Sequence, residues 1–130
     1  MRIVLVSPHP PSRSSLTEYG FHLARALRRH PDLEELVVFS DKGSDDAFPP
    51  GVEAVWAQDS YAIVPTILRR ARQLRPDAVI FNLQNASFGR RPVPAALGLL
   101  TPLACRLAGL RTIVVLHNLA DLIDPVQVGF

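Results

Sequence analysis

Three polar clusters in this chain each follow directly on an apolar run, and their residue types could do chemistry. Ser7–Ser15 (SPHPPSRSS) follows Arg2–Val6, Asn82–Arg91 (NLQNASFGRR) follows an apolar run ending at Phe81, and His117-Asn118 follows Thr112–Leu116. If the apolar runs are parallel strands, these loops converge at the sheet's carboxyl edge, where open α/β folds bind ligands. His117 is the catalytic candidate, because an imidazole changes charge near neutral pH and can polarise a hydroxyl. The alternative is a histidine that merely satisfies a strand end. Ser14 and Ser15 stand at the start of a helix, where hydroxyls and unpaired N–H groups suit an anion. Ser15-x-x-Glu18 equally fits a capping box, with Ser15 as cap and Glu18 reaching back. Gln84 and Asn85 can hydrogen-bond a substrate or satisfy their own loop. His9 reads as a solvated loop residue, and Arg13, Arg90 and Arg91 as solvated or phosphate-facing. Trp56 and Tyr61 read as packing anchors.

Several chemistries are disfavoured. Neither G-x-G-x-x-G nor G-x-x-x-x-G-K-[ST] occurs, and no glycine precedes Gly20, which argues against dinucleotide and ATP sites of those types. No G-x-S-x-G elbow is present, and no His/Cys/Asp/Glu cluster has metal-ligand spacing, so neither metal nor cofactor is expected. Cys105 is the single cysteine. Within an apolar helix it reads as a small buried hydrophobe, and its isolation suits a reducing cytoplasm.

The elements that must position these residues are legible in outline. Strands are expected at Arg2–Val6, Glu35–Phe39, Val52–Val55, Ala78–Phe81 and Thr112–Leu116. The first, fourth and fifth are apolar without alternation, the mark of strands covered on both faces, so these three are expected inside a parallel sheet. Between strands one and two, Leu16, Tyr19, Leu23 and Leu27 form one helical stripe ending in Arg28-Arg29-His30 and Pro31. Strands two and three are joined by a polar loop, Asp41–Gly51. Ile63, Ile67, Leu68, Ala71 and Leu74 mark a second helix, with Pro65 in or before its first turn. A third, Val93–Ala108, is apolar on most faces, is expected to kink at Pro102 and ends on Gly109 in a left-handed conformation. The fold class is therefore α/β, a doubly wound, Rossmann-like parallel sheet. Residues 118–130 hold no further complete βα unit, so residues 1–130 read as one incomplete domain.

Composition agrees with a globular domain: 48% of residues are apolar and 20% charged. The net charge of +2, with one lysine and no basic–aromatic alternation, argues against nucleic acid. The first apolar run breaks at Ser7-Pro8, too early for a signal peptide. The Val93–Cys105 run is shorter than the roughly 20 residues a membrane span needs.

The three landmarks together resemble GT-B-fold glycosyltransferases of the family 4 type. Ser7-Pro8-His9-Pro10-Pro11 through Ser14-Ser15-Leu16-Thr17-Glu18-Tyr19 is similar to that family's opening. Arg75-Pro76-Asp77 before a strand leading to Asn82-Leu83-Gln84 is similar to its second landmark, with Phe88-Gly89 where a glycine is often kept. Thr112–Leu116 followed by His117-Asn118 is similar to its third. The resemblance implies the N-terminal, acceptor-side half of a GT-B enzyme, moving a sugar from a nucleotide-sugar donor to a sugar or lipid-linked acceptor without a required metal. It implies His117 as catalytic and Ser14, Ser15, Gln84, Asn85 and Asn118 as substrate-binding. It also implies a C-terminal domain as partner, a cytoplasmic setting and scope for peripheral membrane contact. This chain departs from the family in carrying Ser14-Ser15 where glycine is usual. Two other readings stand beside it: a non-catalytic Rossmann-like binding module, or another GT-B-shaped enzyme such as a nucleotide-sugar epimerase.

Overall fold

Five short β-branched runs pair side by side in the computed structural model, which describes residues 1–43 and 47–117. The elements in chain order are β1 (Arg2–Val6), α1 (Thr17–Leu27), β2 (Glu35–Asp41), β3 (Val52–Trp56), α2 (Ile63–Leu74), β4 (Ala78–Leu83), α3 (Pro92–Leu99), α4 (Thr101–Leu107) and β5 (Thr112–Leu116). All strand pairs are parallel, in the order β3-β2-β1-β4-β5. The chain is thus α/β and Rossmann-like. Among the described residues no helix is long and apolar enough to cross a membrane.

Alternate side chains of each strand feed two cores. Val4, Val6, Phe39, Val79, Phe81 and Leu83 pack with Ile63, Ile67 and Ala71 of α2 and Cys105 of α4. Ile3, Leu5, Val38 and Ile80 pack with Ala24 of α1 on the other face. Phe48, just ahead of β3, joins that second core on the face where a doubly wound fold would ordinarily set a helix. The helices change faces because the chain reverses direction across the sheet and each crossover keeps the right hand.

Four expectations need correction. β5 is not interior: it lies at the sheet's edge, with Ile113, Val114 and Leu116 about half exposed, and β2 takes the interior place. An apolar run encodes stickiness on both faces but not which strand lies next to it. The third helix is not kinked but split at Leu100 into α3 and α4. Pro102 has no N–H to carry the ladder across the break. Gly109 does take the left-handed conformation, φ 85°. The capping box does not form, since α1 begins at Thr17 behind Leu16 with no side-chain cap. Instead the Thr17 N–H donates to the Ser14 carbonyl, 3.0 Å. Finally, α1 buries Gly20 and Ala24 with Leu23 and Leu27 partly covered, whereas Tyr19 stands 46% exposed.

Candidate functional site

The chain leaves β1 toward β2 on one side and β4 toward β5 on the other, so the loops after β1 and β4 diverge. This is the switch point at which parallel α/β sheets open a crevice. The β1 loop is held down by buried polar groups. Ser7, His9 and Ser12 are each 5% exposed or less. The His9 N–H donates to Ser40 Oγ on β2 (3.0 Å), and its Nδ1 donates to the Pro10 carbonyl, also 3.0 Å. His9 is therefore not a solvated loop residue. Its Nε2 is buried without a partner among the described residues, and burial holds its pKa below the usual histidine value.

Ser14 Oγ accepts from the Leu16 N–H at 3.4 Å, closing the turn that leads into α1. Ser15 faces the other way, and its Oγ accepts from Gln84 Nε2 in the β4 loop. Gln84 is itself braced, its N–H donating to Ser87 Oγ at 2.7 Å while the Ser87 N–H returns to the Gln84 carbonyl at 3.0 Å. Neither Ser14 nor Ser15 adopts a positive φ, so serine costs the backbone nothing where the resembling family has glycine.

Ser14, Ser15 and Gln84 line one cleft of about 520 Å³ together with Ser12, Arg13, Asp41, Gln58, Asp59 and Arg90. The lining thus combines hydroxyls and two amides with two guanidinium groups and two carboxylates. Such a surface can bind a polyhydroxylated or phosphorylated molecule through several hydrogen bonds. Asn85 is exposed in the same loop, and Asn118 lies outside the described residues. Arg91 is not in the cleft. Its Nη2 donates to Tyr61 Oη at 3.2 Å, with the guanidinium 5.5 Å from the ring. Tyr61 is therefore an exposed partner of Arg91 and not a core anchor, whereas Trp56 is buried against Phe88.

His117 stands at the same carboxyl edge but outside the cleft lining. Its backbone N–H donates to the Leu83 carbonyl at 2.8 Å, its ring lies edge-on to Tyr19 at 4.4 Å, and its Nε2 sits 2.7 Å from Asn82 Oδ1. Asn82 in turn donates from Nδ2 to Ser7 Oγ at 3.0 Å. Asn82, Ser7, Asp41 and Asp59 were missed as site residues. For Asn82 the signal was present, since an amide interrupts an otherwise apolar strand. Asp59 gave none: it matters because its carboxylate accepts the Arg91 N–H (2.7 Å) and its own N–H donates to the Phe88 carbonyl (2.9 Å), tying the β3 loop to the β4 loop.

A larger cavity of about 790 Å³ runs along α2 past Pro65, Thr66, Arg69 and Arg72. Its described lining holds no histidine, cysteine or carboxylate, so we assign the chemistry to the switch-point cleft. No group of three metal-ligating side chains gathers among the described residues. Comparison of the chain with protein-family models, curated protein sequences and solved structures returns no match.

Proposed function

We propose that this chain is the acceptor-side half of a glycosyltransferase of GT-B type, which moves a sugar from a nucleotide-activated donor to an acceptor hydroxyl. One observation carries the reading. The three sequence landmarks that resemble that family lie at a single sheet edge, two of them lining one cleft and touching through Ser15 and Gln84. The cleft volume falls within the roughly 300–1,000 Å³ of small-molecule sites. In this reading Ser14, Ser15, Gln84 and Asn85 hold the acceptor, and Asn118 extends that set. His117 accepts a hydrogen bond from the reacting hydroxyl. The donor nucleotide is held by a C-terminal domain, and the enzyme works in the cytoplasm, where contact with a membrane surface would bring lipid-linked acceptors.

The test has two arms. The 130-residue chain incubated with radiolabelled nucleotide sugars and acceptor glycosides is expected to give no turnover, because half of the site is elsewhere. The same chain immobilised and probed with a glycoside array is expected to bind a subset, with binding lost in Ser15→Ala and Gln84→Ala variants. Robust turnover by the chain alone would overturn the two-domain reading. Glycoside binding unaffected by both substitutions would overturn the assignment of the cleft.

A further inference from the structure

Asn82 is a fully buried amide on a central strand, a position where an apolar side chain would pack without needing any hydrogen bond. Its surroundings give it a direction. Ser7 Oγ lies 3.1 Å from the Pro8 carbonyl, which can only accept, so the single hydroxyl proton of Ser7 points there. Ser7 Oγ is then left as an acceptor, and Asn82 Nδ2 donates to it. That leaves Asn82 Oδ1 facing His117 Nε2 at 2.7 Å. An amide oxygen can only accept, so the proton sits on Nε2.

We infer that Asn82 is a positioning residue that fixes His117 in the Nε2–H tautomer and leaves Nδ1 as a hydrogen-bond acceptor. The role assigned to Nδ1 rests on the hydroxyl-transfer reading above; the tautomer does not. An unprotonated Nδ1 selects a hydroxyl, which has a proton to give, over a phosphate dianion, which has none. His117 thus serves the acceptor alcohol rather than the donor phosphates. The surroundings are built to hold this arrangement. Gly20 on α1 approaches so closely that a Cβ there would lie under 3.0 Å from both Ser7 Oγ and the Pro8 carbonyl oxygen. Tyr19, one residue earlier, packs against the imidazole in an edge-to-face contact, ring centroids 4.4 Å apart. His9 offers an internal contrast: its Nδ1 faces a carbonyl, so the same logic gives it the opposite tautomer.

Long-range ¹H–¹⁵N correlation spectra of the uniformly labelled chain at about pH 8 read both tautomers directly. His117 is expected as Nε2–H alone and His9 as Nδ1–H alone. In Asn82→Asp the carboxylate still accepts, so the Nε2–H form is expected to persist. In Asn82→Leu and in Ser7→Ala the direction is lost, and because imidazole tautomers exchange rapidly the two His117 ring-nitrogen shifts are expected to move toward each other as a population-weighted average. Ser7→Ala serves as the second variant should the leucine substitution prevent folding. Nδ1–H at His117 in the wild-type chain would overturn the inference, as would a single unchanged tautomer in both Ser7→Ala and Asn82→Leu. These spectra need no substrate, so a failed glycoside-binding test leaves them standing, and a wrong tautomer leaves the binding test standing.

Discussion

Replacing Gly20 by alanine tests how tightly α1 is seated on the end of β1. On an open helix surface the change would stabilise by about 1 kcal/mol, because alanine is the better helix former. Here the added methyl would sit under 3.0 Å from Ser7 Oγ and from the Pro8 carbonyl oxygen, and 3.3 Å from Ser7 Cβ. The carbonyl is backbone and cannot swing aside, and Ser7 is 1% exposed. Overpacking of this kind costs about 1–3 kcal/mol. Displacing Ser7 Oγ also strands the buried Nδ2 of Asn82, worth a further ~1–3 kcal/mol. These contributions overlap, and the propensity gain offsets part of them, so a net loss of about 2 kcal/mol is expected. With a urea slope of roughly 1–3 kcal/mol per molar, the unfolding midpoint falls by about 1 M. The single tryptophan, Trp56, is buried and reports the transition by fluorescence. Gly109→Ala is the control, since nothing lies within 4 Å of its Cβ position and only the positive φ penalises it, by ~1–2 kcal/mol. A Gly20→Ala protein as stable as the wild type, or more so, would refute the seating of α1 on Ser7 and Pro8.

Further expectations concern single groups. The folded-state pKa of His9 lies below its ordinary 6.5, so between those values the unfolded chain holds a proton that the folded chain does not. Stability therefore falls as pH drops below 6.5 and levels off below the folded pKa; His9→Phe is expected to flatten this slope in urea melts, and an unchanged slope would contradict the burial of the ring. Burial pushes the Cys105 thiol up to about 11, so iodoacetamide at about pH 8 is expected to label the unfolded chain quickly and the native chain hardly at all. Arg70 grips Glu53 with two bonds of 2.7 Å on a third-exposed surface; a double-mutant cycle is expected to return a coupling of about 0.2–1 kcal/mol that shrinks in salt.

How far the chain was legible depends on what each signal encodes. The bounds of β1 and β5 and the span of α2 follow from local apolar runs and periodicity, with Pro65 tolerated in the first turn of α2. Strand order is a tertiary property, which is why an apolar run could not tell that β5 has one neighbour and β2 has two. The Ser15–Glu18 spacing is a helix-start signal, but Gln84, sixty-nine residues away, engages the Ser15 hydroxyl instead. The Pro-rich setting of His9 suggested solvent, yet backbone bonds to Ser40 and Ser12 and a ring bond to the Pro10 carbonyl accompany its burial. The placement of Ser14, Ser15, Gln84 and His117 at the carboxyl edge was legible because each lies at the end of a strand or in the loop that follows one. Asn82 and Ser7 act from within or directly at the end of strands, where sequence reading looks for packing.

The most direct test of the account maps a ligand onto the switch point. Backbone ¹H–¹⁵N shifts of the 130-residue chain would be followed while an acceptor glycoside selected from the array is titrated in. The account expects saturable shifts at Ser14, Ser15, Gln84 and His117, with the α2 surface at Arg69 and Arg72 unmoved. Shifts confined to the α2 surface, or a glycoside that perturbs none of the four, would contradict it.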